Sequence, residues 1–345
     1  MLQTFVLLAG ILFILATVVS AARTVVLPHG QPPRLTRVVF GVMRRIFTPA
    51  ARLARTRETR HRIYSLYAPL ALLTLPLAWL ALSTGGFTLV FWGLGTEPLI
   101  DAFKLAGSSM FTIGFYDVDD LPRLVVGFLA AGLTISVLGI LLVTYLPTMY
   151  AAYTSRETAI TALESYAGEP PRPVELLVRV HAIEGWQELR ELWTDWRMTF
   201  AEMRETHTAL PAVAMFQSSH PYRTWVGAIG ALLDATAIHE AIHETGDPDA
   251  QLCIRSGFLA LREVADQFGY THDPNPAPDD PISVDRSEFD AVVAELAEAG
   301  LEMTRTGDAA WQAFAGWRVN YDTVLNQLAE LTGAEDVSLT RNGKG

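Results

Sequence analysis

Twenty consecutive residues at the amino terminus, MLQTFVLLAGILFILATVVS, contain no charged side chain, and a second such run extends from about Leu124 to Leu146. A bilayer core of about 30 Å is crossed by a helix of ~20 apolar residues, so each run is long enough to span one. Between them a third apolar stretch begins near Ile63 and reaches about Leu82, with Tyr64, Tyr67 and Trp79 as interfacial or packing aromatics. Pro69 and Pro76 fall inside it. Membrane helices tolerate proline because neighbouring groups satisfy the freed carbonyls. Gly85-Gly86 reads as a break, although residues 87–94 stay apolar and can extend the span. The alternative for residues 1–20, a cleaved secretory signal, wants a basic start, and the first basic residue is Arg23.

Charge divides the chain in two. Residues 1–153 carry 12 Lys+Arg against 6 Asp+Glu, a net of +6, and residues 154–345 carry 14 against 31, a net of −17, which sum to −11. Two environments are implied, and the acidic second half excludes nucleic acid as an expected partner. Cys253 is the only cysteine, so no intrachain disulfide can form. Ten arginines, one glutamate (Glu58) and no lysine lie within residues 23–62. Basic flanks of membrane helices remain in the cytoplasm, which puts the N-terminus outside and, after three spans, the C-terminus in the cytoplasm. Val38, Val39, Val42, Met43, Ile46 and Phe47 recur at helical spacing, with Arg37, Arg44 and Arg45 between them. That pattern predicts an amphipathic helix in the membrane interface.

The stretch between the second and third spans is too short for a domain and too amphipathic for another span. Thr96-Glu97-Pro98 looks like a helix start, and a helix of about twelve residues is expected to reach Met110. An extended segment and the acidic residues Asp117, Asp119 and Asp120 follow.

Ser109-Met110-Phe111-Thr112-Ile113-Gly114-Phe115-Tyr116-Asp117 resembles the selectivity filter of the potassium channel superfamily, where the pattern is T-x-x-T-x-G-Y-G-D. The resemblance covers about residues 60–150. With the apolar runs and the charge divide, the chain reads as an all-α membrane protein with an N-terminal transmembrane helix (1–22), a basic cytoplasmic or interfacial segment (23–62) and a cytoplasmic helical domain (154–345), and for residues 63–153 the resemblance implies a pore-loop domain. It implies a homotetramer in the plasma membrane that passes monovalent cations, potassium or sodium. The filter would comprise Thr112, Ile113, Gly114, Phe115, Tyr116 and Asp117, where backbone carbonyls and a threonine hydroxyl replace the ion's water. Asp119 and Asp120 would join Asp117 in rings of negative charge at the outer mouth. Tyr116 stands where the family has its second glycine, a position costly for a side chain, so weak potassium preference is expected. Lys104 is expected to face away from the axis, toward Asp101 or Glu97. Gly132 and Gly139 are candidate hinges and Pro147 a bend near the gate, while Thr134, Ser136 and Thr144 either line the cavity or pack against helices.

Beyond Thr154 helices are expected over 155–166, 173–206, 222–244, 250–268, 285–303 and 307–332. Trp186, Trp193 and Trp196 read as a packing stripe. His239-Glu240-Ala241-Ile242-His243 fits H-E-x-x-H, the zinc-hydrolase pattern, with Glu263 at the spacing of a third ligand. Asp247-Pro248 starts a new helix four residues after His243, which carries Glu263 about 22 Å up that helix at 1.5 Å per residue. The sequence therefore reads as a channel with no catalytic residues and no resident metal or cofactor. A non-conducting sensor or scaffold on a pore-like fold is the alternative, and a zinc hydrolase the minor one. Whether His239 and His243 hold a regulatory metal stays open.

Overall fold

A computed structural model describes residues 1–25, 34–114, 118, 120–183, 185–218, 220, 223–334 and 339. All regular structure among these residues is helical. Contacts divide the chain into two units, one of residues 1–47 and 69–150 and the other of residues 48–68 and 151–345. The second unit thus joins Thr48–Ala68 to the chain from Ala151 onward.

The first unit holds α1 (Leu2–Val25), most of α2 (Arg34–Leu53), most of α3 (Arg57–Gly93), α4 (Leu99–Met110), α5 (Leu121–Gly139), a π-helical stretch (Ile140–Tyr145) and the first turn of α6 (Leu146–Ala167). Stretches within α1, α3 and α5–α6 are apolar and long enough to cross a membrane. The chain thus has the helices of a membrane protein. The expected break at Gly85-Gly86 does not occur, and α3 runs unbroken through it. Of the two, Gly86 is the one that packing requires. A Cβ on Gly10 would sit 2.9 Å from the Gly86 carbonyl, one on Gly86 would sit 2.6 Å from Ile14 Cγ1, and one on Gly93 would sit 2.8 Å from Leu7. The order of these contacts makes α1 and α3 antiparallel, with backbones too close for side chains, as small residues permit. Within this unit α2 lays Leu35 and Val39 against Leu75 and Trp79 of α3. A second apolar ridge, Val38, Val42 and Ile46, stays uncovered beside exposed Arg37, Arg44 and Arg45.

The helical stretch that contains the apolar run of residues 124–146 is longer than that run. It starts at Leu121 and passes through the π-helical stretch into α6, which ends at Ala167. Pro147 has no N–H for the Val143 carbonyl, and the widened winding lies directly before it.

The second unit is built around α9 (Trp225–Ile242), with α7 (Pro173–Ala182), α10 (Pro248–Gln267), α12 (Gly307–Arg318) and α13 (Asp322–Thr332) packed on it. α8 (Trp186–Ala209) packs on α10, and α11 (Arg286–Glu298) on α7 and α12. α9 also meets the length and apolarity of a membrane span, but 89% of it is buried inside the unit. A helix apolar on all sides belongs in a core. Thr224 caps it by accepting from Gly227 N, and Asp247 caps α10 by accepting from Asp249 N. Two expected helices are each divided: 173–206 into α7 and α8, and 307–332 into α12 and α13. In the second case the turn lets Arg318 and Tyr321 both reach Asp234 of α9.

That core is polar where it is deepest. Arg318, with its side chain fully buried, donates to both Asp234 oxygens at 2.5 and 2.6 Å and to Asp322 at 2.8 Å. Arg156 of α6 donates to the Val213 and Phe216 carbonyls at 3.0 and 2.8 Å and lies over the rings of Tyr153 and Trp225. Its Nη1 also meets His207 Nε2 at 3.4 Å. Arginine only donates, so His207 accepts there. Burial, then the Arg156 charge, pushes the His207 pKa down to about 3.

Candidate functional site

The short helix α4 spans Leu99–Met110, the twelve residues the sequence suggested, with Pro98 as its N-cap. Its apolar face is Ala102, Leu105, Ala106 and Met110, packed with Leu80, Phe87 and Phe91 of α3 and Ala130 of α5. Gly127 of α5 brings that helix close to Ser109, whose Oγ would lie 3.2 Å from a Cβ at the glycine. Thr84 donates to the Met110 sulfur at 3.3 Å. Twelve residues rise only about 18 Å, short of a bilayer's hydrocarbon core. α4 is therefore too short to span a bilayer and is held between two span-length helices.

The chain after α4 winds back on the helix end. Phe111 N donates to Gly107 O (2.9 Å), Thr112 N to Ser109 O (3.2 Å) and Ile113 N to Ser108 O (2.9 Å). With Thr112 at φ 54°, this is a Schellman cap in which a β-branched residue holds the left-handed position. Glycine usually takes that place; a side chain there costs on the order of 1–2 kcal/mol. The Thr112 hydroxyl donates to Phe111 O at 2.8 Å. Gly114 follows at φ 75°, and Phe111, Thr112, Ile113 and Gly114 are all exposed in the single chain. Of the six residues matched to a filter, Thr112, Ile113 and Gly114 are described, whereas Phe115, Tyr116 and Asp117 lie outside the described residues, as does Asp119.

Asp120 accepts from Arg123 N (3.4 Å) and from Arg123 Nη1 (3.2 Å), and Arg123 Nη2 donates to Leu94 O at 3.0 Å. Arg123 joins the start of α5 to the turn between α3 and α4, a role the sequence reading missed. It also offsets part of the negative charge assigned to Asp120. Lys104 pairs with Asp101 at 3.0 Å, one of the two partners suggested for it. On α5, Cβ atoms at Gly132 or Gly139 would meet nothing within 4 Å, so neither glycine is required by packing inside one chain. Gly139 immediately precedes the π-helical stretch. The Thr134 hydroxyl turns back to Ala130 O (3.2 Å) and that of Ser136 to Gly132 O (2.8 Å).

A second cluster lies in the other unit. A cavity of about 350 Å³ is lined by Trp186, Arg190, Trp193, His239, His243 and Asp247 among others. The His239 and His243 ring centroids are 4.4 Å apart, and Trp193 packs edge-on against His239 at 5.0 Å. Burial, then the neighbouring His243, holds the His239 pKa down to about 4. Trp193 and Trp196 are core residues, as a packing stripe requires, whereas Trp186 is 39% exposed over the imidazoles. Glu240 turns elsewhere, accepting from Asp247 N and Gln251 Nε2, both at 2.8 Å. Glu263 pairs with Arg204. Among the described residues no three His, Cys, Asp or Glu side chains gather as a metal site.

No protein-family model, curated protein or solved structure matches this chain.

Proposed function

We propose that the chain is the subunit of a cation channel. The observation that carries this reading is α4, a helix too short to cross a membrane, clasped between two apolar helices and ending on Ser109–Gly114 of the filter-like motif. In this reading α4 is a pore helix whose negative C-terminal end favours a cation. α3 and α5 are the outer and inner helices, and the exposed apolar faces of α5 meet lipid and other copies. One such loop cannot enclose a pore, so copies assemble on an axis, four by analogy with the resembling superfamily. The N-terminus lies outside and the acidic unit in the cytoplasm, consistent with the arginines of α2 and its flanks. α6 runs from the π-helical stretch to Arg156 in the core of the second unit. Motion of that unit can therefore pull on the gate region around Gly139 and Pro147.

The test is recording from the purified full chain in planar bilayers under opposed potassium and sodium salts. Cation currents with weak potassium preference are expected, and Tyr116→Gly should raise that preference. High wild-type selectivity would overturn the expected effect of Tyr116. A second reading, a non-conducting membrane sensor, is favoured by the wound-back cap at Thr112, which engages the Ser108 and Ser109 carbonyls. Assembled, folded protein that passes no ions would select it.

A further inference from the structure

We propose that His239 and His243 chelate an exchangeable divalent first-row transition ion in the cavity beside Trp186, and that the site binds the ion without hydrolytic chemistry. The inference does not depend on the channel reading.

The two histidines stand one helical turn apart at the end of α9. His243 Nδ1 lies 2.8 Å from the His239 carbonyl. A carbonyl only accepts, so Nδ1 carries the proton and Nε2 keeps its lone pair. Metal-binding histidines are commonly oriented in this way, by a ring N–H given to a backbone carbonyl. The His239 ring lies beside it, with centroids 4.4 Å apart, and its Nδ1 is buried without a hydrogen-bond partner among the described residues. An imidazole nitrogen in that position is an unmet demand, and a metal ion that draws the ring over would meet it. The adjoining cavity of about 350 Å³ has room for an ion and several waters, each taking roughly 30 Å³.

Asp247 lines the same cavity. Its Oδ2 accepts from Arg190 Nε at 2.8 Å and its Oδ1 from Asp249 N at 2.9 Å, so it contributes negative charge while both oxygens are engaged. The protein thus offers two nitrogens, and water completes the coordination shell. A structural zinc site is closed by four protein ligands. An open two-nitrogen site exchanges its ion instead, and imidazole donors suit zinc, copper and nickel.

Hydrolysis needs a base next to the metal, and in H-E-x-x-H that base is the glutamate. Glu240 is 5% exposed, and its two oxygens hold the Asp247 N–H and the Gln251 amide at 2.8 Å each. It secures the turn between α9 and α10. The motif keeps its two ligands and has given its base to the fold.

The experiment uses the full chain in detergent, with any affinity tag removed and the protein dialysed against chelator. Zinc chloride is titrated by calorimetry, and copper chloride by tryptophan fluorescence, since Trp186 and Trp193 stand 5.0–6.4 Å from the imidazoles. Saturable binding of one ion per chain is expected. His243→Gln, at the helix end, should weaken it by about tenfold or more with an unchanged thermal midpoint. Trp186→Phe should keep the zinc affinity and reduce copper quenching. His239→Gln is read only if its thermal unfolding matches wild type. No saturable binding in wild type, or unchanged affinity in His243→Gln, overturns the site. Zinc-dependent peptide hydrolysis that is lost in Glu240→Gln overturns the statement that it only binds.

Discussion

α1 and α9 would both pass as membrane helices on length and apolarity, yet the apolar window of α1 is 11% buried in the chain and that of α9 is 89% buried. The same chemistry has two destinations. In the second unit apolar side chains are covered by the protein itself, and deep charges among them are paired: Asp234 with Arg318 and Tyr321, Arg156 with Glu157 and two backbone carbonyls. In the first unit the covered surface is small and close-packed through glycine, while Phe5, Leu12, Phe128 and Leu129 stand 63–71% exposed. Lipid or further copies must cover them, since so extensive an apolar surface is not left in water. Hydropathy says that a helix avoids water. The charge embedded in the surrounding sequence says what shields it: α9 carries Asp234, which an arginine from another helix must meet, whereas residues 1–20 carry no charge that needs a partner.

The largest effect expected from this contrast is at Arg318. Its replacement by methionine leaves Asp234 buried without its cation, a change that costs about 3–5 kcal/mol. Arg318→Met should remove most of the cooperative unfolding transition of the second unit, seen by calorimetry of the full chain. Adding Asp234→Asn should restore part of it. An unaltered transition in Arg318→Met would mean that the ion pair does not hold the unit together, and the contrast would lose its polar half.

Next comes the glycine seam of the first unit. Gly10→Leu places a side chain against the Gly86 carbonyl and Val90, and overpacking of this kind costs about 1–3 kcal/mol. The thermal midpoint in detergent should fall while the α9 core is untouched. A neutral outcome would show that α1 does not need α3.

How far these features were legible in sequence follows from their range. α4 could be bounded to the residue pair because its signals are local, a proline at the start and a motif at the end. The divide between α12 and α13 lacked any Gly or Pro within Val319–Tyr321. It is set by partners more than eighty residues away, since Asp234 draws Arg318 and Tyr321 to one point. Gly85-Gly86 misled for the opposite reason. A glycine that breaks a helix and one that, like Gly86, admits a neighbouring helix are the same letter, and only the position of α1 separates them. At the filter-like segment the helix and its endpoint were readable, but the left-handed Thr112 was not, because threonine is a poor residue for that conformation. Arg123 and Arg156 carried no motif, and their roles come from carbonyls far along the chain.

Acid bears on the second unit through His207. The buried His207 remains neutral in the folded protein until pH falls to about 3, whereas the unfolded chain takes up that proton below about 6.5. A depressed folded pKa contributes stability that is present above pH 6.5 and is lost progressively as pH falls toward 3. The slope is one proton, about 1.4 kcal/mol per pH unit. His207→Gln should therefore flatten the pH dependence of unfolding of the second unit by about one proton between pH 6 and pH 4, whatever its effect at neutral pH. An unchanged slope would show that His207 does not stay neutral there.

The smallest expected effect is at Thr112, and it bears on how the two readings of the first unit differ. The Schellman cap holds Thr112 at φ 54°, and a glycine there removes a side-chain penalty on the order of 1 kcal/mol. The Ile113 N–H bonded to Ser108 O reports the cap directly. If the cap is the populated form in the assembled protein, Thr112→Gly should slow hydrogen exchange at Ile113 by about fivefold, the factor that 1 kcal/mol sets at room temperature. Any cation current should fall with it, because a tighter cap withholds the Ser108 and Ser109 carbonyls and the chain beyond them from an extended filter. If assembly pulls residues 111–114 into an extended form, glycine relaxes that form as readily as the cap, and protection at Ile113 should not rise. Slower exchange with lost current would make the cap a closed state of a channel. Faster exchange than wild type would mean that the Thr112 side chain and its bond to Phe111 O stabilise the cap despite the strain, and the backbone argument would fail at that residue.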